Sequence, residues 1–477
     1  MLINRLHRFL TAPTAKISRS QVIFWFSLSL TFAAIFGILG LQKAFCCEYV
    51  VHDDFRQHGF WMERFLDPEL FPQDLIADYF QSAGPVGHTT LYRLLAAVGL
   101  NPLLLSKLLP VMLVLVGTGY CFGICLQMLP VPMAGFIATL LLNLNFWETA
   151  DVASATPRAF AAPLLLAFLY YLLRRSLLPC LVVIALQGLF YPAIVLISAG
   201  IFIVRLLRWE SGRLRLSSER NDYLFCATGL AIALLVLLPY ELNSSGFGST
   251  VTKAEMKTLP EFLPTGITSF DFNDPWQLWL FNTRSGIFRE SPRRTLLSPQ
   301  IWFGLLLPIL LKQPFKFPLV RQITSSVTLL PQIGLASLGV FLAAHALLYK
   351  LFHPNRYMRF SLQILLALAA GIALTVVLDA VFNWLEQRGD RHHKQQFLVV
   401  GLTALIGTAL VLYLGFLHDF PKSGLGYRVG VVPQLYEFFS QQPKDSIIAS
   451  LGKKQTTYRR SLSGLFWLAK NLHSPTK

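Results

Sequence analysis

Residues 22–41 read VIFWFSLSLTFAAIFGILGL, twenty positions without a charge. As a helix this run rises about 30 Å, the thickness of bilayer hydrocarbon. It is too long for the apolar core of a cleavable signal and lacks an A-x-A-like end, so residues 21–43 read as an anchoring span. Further apolar runs occur at 105–128, 131–148, 157–173, 223–241, 328–350, 360–384 and 397–417. From Leu177 to Leu207 the chain stays apolar for too long to be one span, and Phe190, Tyr191 and Pro192 interrupt it. Proline has no N–H to donate and clashes with the preceding turn, so two short helices turning at FYP are expected. PQIWFGLLLPILL at 299–311 adds one more, for about eleven spans.

Composition agrees with this pattern. The chain has 477 residues, 54% hydrophobic and 14% charged, against about a quarter charged in soluble domains. The expected fold class is an all-α polytopic membrane protein. The net charge of +16 does not point to nucleic acid, because lysine and arginine sit in short segments between apolar runs. That is the pattern of cytoplasmic loops facing anionic lipid. Arg5, Arg8, Lys16 and Arg19 precede the first span and place the N-terminus in the cytoplasm. Alternation then puts Arg174 and Arg175, Arg208 to Arg220, Lys312 to Arg321, and Arg388 to Lys394 inside, with the C-terminus extracytoplasmic. The expected location is the plasma (inner) membrane. Six cysteines show no C-x-x-C spacing, so neither a zinc site nor a disulfide scaffold is indicated.

The transmembrane domain is expected over 1–417, with large outer loops at 44–104 and 242–298 and a short extracytoplasmic tail at 418–477. The first outer loop opens with EYVVHDDFRQHGFWMERF at 48–65, directly after the anchor. Its Phe55, Phe60, Trp61, Met62, Phe65 and Leu66 suit short amphipathic helices lying in the membrane interface. Asp53 and Asp54 are candidate catalytic carboxylates: either can take a proton from an attacking hydroxyl or hold a divalent cation. The alternative is a solvated helix start, with acids favoured by the dipole. On a helix Asp54 and His58 share a face one turn apart. Arg56 and His58 are grouped with them as substrate contacts.

Two short outer loops carry arginine against the charge rule. WETADVASATPRAF holds Glu148, Asp151 and Arg158; FHPNRYMRFS holds His353, Asn355, Arg356, Tyr357 and Arg359. Such cations need an anion, and the guanidinium fork suits phosphate oxygens. The competing reading is that they brace the first outer loop by ion pairs. The FYP turn, with Tyr191, is read as a recess below the outer surface, open to a lipid-linked substrate, or as a kinked structural hairpin. Asp379 is expected to cap or pair, His392 and His393 to be solvated, and the loop 242–298 to act as a lid or acceptor site. Asn243 begins a glycosylation sequon.

HDDFRQHGFWMERFLDPELFPQDLIADYF, ATPRAF and HPNRYMRF resemble the GT-C superfamily of integral-membrane glycosyltransferases, and more closely a group of uncharacterised, largely cyanobacterial multi-span proteins. The resemblance covers the chain to about residue 450. It implies an extracytoplasmic transfer of sugar, with inversion, from a polyprenyl-phosphate donor to a glycan, lipid or protein acceptor. It places the catalytic base at Asp53 or Asp54 and the phosphate at Arg158, Arg356 and Arg359. It also implies a divalent cation (Mg or Mn) held by Asp54 with Glu148 or Asp151. The tail QTTYRRSLSGLFWLAKNLHSPTK departs from the expected continuation and is read as the frameshifted, truncated end of a longer outer domain. The rival functions are a lipid-linked sugar transporter or flippase and a non-catalytic lipid-binding scaffold. A transporter should carry inverted repeats and paired charges at mid-depth, whereas most spans here lack central charges.

Overall fold

The structure, a computed structural model, describes residues 2–210, 213–242, 251–263, 266, 270, 273–288, 298–348, 350–351, 353–387, 401, 425–430 and 432–442. The expected span at 397–417 (but for Gly401), the basic group 388–394 with His392 and His393, the sequon at Asn243 and the tail beyond 442 lie outside the described residues.

The helices in chain order begin with α1 (Leu2–Thr11) and α2 (Arg19–Ala44). The short strand β1 (Val50–His52) leads into α3 (Asp53–His58), then α4 (Leu75–Ala83), α5 (Val86–Ala97), α6 (Pro102–Met128), α7 (Pro132–Glu148) and α8 (Ala150–Ala153). Next come α9 (Ala161–Leu173), α10 (Leu177–Phe190), α11 (Ala193–Arg205), strands β2 (Leu207–Glu210) and β3 (Arg213–Leu216), and α12 (Arg220–Leu242). After two short helices at Lys253–Met256 and Pro275–Trp279 come α13 (Pro299–Leu311), α14 (Leu329–Ala346), α15 (Asn355–Gln387), β4 (Tyr427–Val429) and α16 (Pro433–Ser440). Five helical segments among the described residues are long and apolar enough to cross a membrane: Arg19–Ala44, Pro102–Met128, Arg220–Leu242, Ser325–Ala346 and Asn355–Glu386. The protein is accordingly an all-α membrane protein. The break expected at FYP is present, with α10 ending at Phe190 and Pro192 capping α11. The stretch after α11, expected as a basic loop, instead folds into the β2–β3 hairpin.

The chain divides into two compact units. The first comprises Met1–Phe32, Val116–Leu142 and Ala161–Ala409. In it α15 packs along α13 and α14, α11 against α14, and α10 against α9 and α12. The amphipathic α1 docks on α15 through His7, whose ring stacks on Phe382. Its Nε2 lies 2.8 Å from Asp379 and its Nδ1 2.9 Å from Glu386. The hydrogen bond to Asp379 leads the effects that raise the imidazole's pKa. Asp379 thus pairs, one of the two roles expected of it.

The second unit comprises Ala33–Leu115, Asn143–Phe160 and Leu410–Lys477. Strand β1 pairs antiparallel with β4, so part of the segment expected as a separate tail is built onto the stretch that follows α2. Here the aromatic expectation is corrected. Phe55, Trp61 and Met62 are buried, each 2% exposed or less, and form the core of this unit instead of a lipid-facing stripe. The exposed apolar surface lies farther along, on Leu75 and Ile76 of α4 and on Val86 and Leu94 of α5. Apolar side chains suit protein core and lipid equally, so composition alone does not separate the two. Gly40 of α2 makes room for the ring of Trp147 on α7; a Cβ there would overlap it.

Gly40→Ala is expected to destabilise the protein by about 1–3 kcal/mol through overpacking. Gly339→Ala, where nothing lies within 4 Å of the added carbon, should be stabilising by about 0.5–1 kcal/mol. Thermal unfolding of the two purified variants in detergent distinguishes these signs.

Candidate functional site

The acidic pair begins α3, and three neighbours fix how it is presented. His52, the last residue of β1, caps the helix by accepting the Asp54 backbone N–H at Nδ1, 3.1 Å away. Burial is the largest influence on this ring and pushes its pKa down to about 4, which keeps it neutral and able to accept. Gly426 closes over the ring. It adopts φ +82, and a Cβ would lie 2.5 Å from His52 Nε2, so only glycine fits. Its carbonyl accepts the Asp53 N–H at 2.8 Å.

The carboxylates are then tied down by guanidinium groups. Asp53 accepts from Arg56 one turn later, at 2.5 Å, and lies 3.4 Å from Arg428 of β4. Burial pushes the Asp53 carboxyl up, but the hydrogen bond and charge of Arg56 and the charge of Arg428 outweigh it. Its pKa therefore lies below the usual carboxylate range. Asp54 accepts from Arg158, 104 positions away. Arg158 also lies 3.7 Å from the buried Asp151 of α8. These six side chains balance, three carboxylates against three guanidinium groups. A phosphate binding at Arg158 must therefore displace a carboxylate or bring a further cation.

Arg158 is delivered by the short 3₁₀ turn Pro157–Phe160. The approach to that turn is held in a costly conformation, because Ala155 has φ +50. Two buried side chains of α5 fasten it: the Ala155 carbonyl accepts from His88 Nε2 at 3.0 Å and from the Tyr92 hydroxyl at 3.1 Å. Complete burial pushes His88 down to about 4. Nothing in GHTTLYR, read locally, marks His88 and Tyr92 as a clamp. Only the pairing of residues 63 and 67 positions apart reveals it. Arg428 was missed for the same reason, 375 positions from Asp53, whereas the His52 cap is local and the H-D-D order of residues 52–54 could have signalled it.

The other expected contacts fall elsewhere. His58 is exposed, with its ring against Phe80 at 4.8 Å. Among the described residues no group of three or more His, Cys, Asp or Glu side chains gathers as a metal site. Of the carboxylates expected around a cation, Glu148 is exposed at the end of α7. Asp54 and Asp151 converge on Arg158 instead.

In the first unit, Arg356 Nη1 donates to the Tyr191 hydroxyl at 2.9 Å, and its guanidinium carbon is 5.8 Å from the centre of that ring. Phe360 packs edge-on against Tyr191, and Arg359 lies over Phe360 at 6.0 Å. The outer arginines of α15 thus join the FYP turn, as a layered aromatic and cationic group. His353 and Asn355 hold the preceding loop: His353 Nε2 is 3.4 Å from Arg284 Nη1, and Asn355 donates to the Gly286 carbonyl at 2.6 Å. Those contacts tie the start of α15 to the segment around Arg284 and Gly286.

No known protein family and no curated protein matches the chain.

His52 and His88 generate a pH dependence with a definite sign. Each is about 4 in the folded protein and near 6.5 unfolded, so the unfolded chain binds more protons between those values. Stability is full above pH 6.5 and falls as the pH drops toward 4. His88→Gln keeps a donor for Ala155 without titrating and should remove about half of that loss. Unfolding midpoints of both proteins between pH 7 and 4.5 measure it.

Proposed function

We propose that the protein moves a sugar from a polyprenyl-phosphate donor to an acceptor hydroxyl at the extracytoplasmic face of the plasma membrane, as a GT-C-like bundle of about eleven spans. The observation that carries this reading is the joining of Asp54, a few residues after the first span, to Arg158 of the next outer loop. A carboxylate and a guanidinium of that origin supply a proton acceptor and a phosphate-binding fork. Both side chains are partly exposed, at 28% and 20%, so a substrate can reach them.

In this mechanism the acceptor O–H gives its proton to Asp54 while its oxygen forms a bond to the anomeric carbon. The bond from that carbon to the phosphate oxygen breaks on the opposite side, and the electron pair leaves with the polyprenyl phosphate. The configuration inverts. Arginine stabilises the charge that develops on the leaving phosphate. Arg56 and Arg428 hold the pKa of Asp53 down, which makes it a weak base. Its role is to fix the first turn of α3.

A second reading rests on the charge balance of the cluster. Asp53 and Asp54 both already hold a guanidinium, as a bracing network would require. Under it the protein binds or flips a lipid-linked sugar without chemistry.

The two readings differ in a deletion strain complemented with wild-type or Asp54→Asn protein, with lipid-linked sugars and surface glycans followed by mass spectrometry. Transfer predicts that Asp54→Asn lowers the glycosylated product by about 100-fold or more, with donor accumulating on the outer leaflet. Full complementation by Asp54→Asn overturns the catalytic role. Donor confined to the inner leaflet of the deletion strain supports a flippase.

A further inference from the structure

A cavity of about 220 Å³ opens in the first unit between the ends of α9, α11 and α12. Leu172, Phe202 and Phe225 line its apolar side, and Arg175, Arg205 and Asp222 its polar side. It sits where these helices pass from apolar to basic sequence, the level at which a span meets lipid headgroups.

The charges around it do not balance. Asp222 lies 3.3 Å from Arg175 and 2.6 Å from Arg208, and also accepts from Ser217 at 2.7 Å. Arg205 is partly buried against the cavity, and its side chain makes no hydrogen bond or contact ion pair among the described residues. Three guanidinium groups around one carboxylate leave a surplus of two positive charges. An arginine of this kind is costly unless an anion comes to it.

The adjoining hairpin extends the cationic surface. In its register Arg208 faces Arg215 across the strands, and the one carboxylate at Arg208, Asp222, is shared with Arg175. Leu207 pairs with Leu216 on the opposite face, and these are 38% and 65% exposed. A hairpin with apolar side chains on one face and arginines on the other suits the bilayer interface.

We propose that this cavity binds the phosphodiester headgroup of an acidic phospholipid, with Arg205 and Arg175 on the phosphate and the apolar wall against the start of the acyl chains. The ligand class follows from the combination of surplus cations with an apolar wall at the membrane boundary. The inference is independent of the sugar-transfer reading and assigns the arginines around Asp222 more than a topogenic role.

The test is native mass spectrometry of the full chain in detergent with added dioleoyl phosphatidylglycerol or dioleoyl phosphatidylcholine. Retention of phosphatidylglycerol should exceed that of phosphatidylcholine by about tenfold, and Arg205→Gln should remove the difference. Arg205→Lys should keep most of it. Arg174→Gln, which removes an equal charge from an exposed arginine lying over Tyr170, should leave it unchanged. Equal retention of the two lipids overturns the proposal, as does equal loss in Arg205→Gln and Arg174→Gln. Complete displacement by millimolar inorganic phosphate would assign the site to a soluble anion and overturn the lipid assignment.

Discussion

The bond between Asp54 and Arg158 is the constraint around which the second unit is built. Its two ends come from segments 104 positions apart, and each end is held by buried neighbours. His52 caps α3 at one end, while His88 and Tyr92 clamp the strained Ala155 turn at the other. A charge-assisted hydrogen bond in a partly desolvated setting is stronger than a neutral one. It also imposes a cost if Arg158 is removed, because Asp54 and the buried Asp151 then both lose that cation. The neighbouring pairs of Asp53 with Arg56 and Arg428 extend the same logic across β1 and β4.

The two cationic regions of the molecule differ in charge balance. Around Asp54 three acids meet three arginines, so an incoming phosphate must compete for Arg158. Around Asp222 the arginines outnumber the acid, and Arg205 stands ready for an anion without displacing anything. The first arrangement suits a site that exchanges partners during a reaction cycle. The second suits a resident ligand, and the lipid leaflet supplies anions of that kind at high local concentration.

Much of this was legible in the sequence where the cause is local. The twenty uncharged positions of 22–41 become the interior of α2, and proline after Tyr191 separates α10 from α11. Arg158 and Arg356 stood out because they break the charge rule for short outer loops, and both turn out to have defined partners. What stayed hidden depends on tertiary pairing. Residues 53 and 428 meet through a strand pairing that no local period announces. Trp61 and Met62 look like interface residues by composition but are buried in the second unit. His353 and Asn355 find their partners at Arg284 and Gly286, 69 positions earlier, which no local pattern announces.

The most direct measurement of the central claim is a double-mutant cycle on the stability of the full chain in detergent, with Asp54→Asn, Arg158→Gln and the pair. If the two side chains hold the outer segments together, the single losses should exceed additivity by a coupling of about 1–3 kcal/mol, and the double variant should be little worse than either single. Strictly additive losses would show that these residues act independently and would contradict the account.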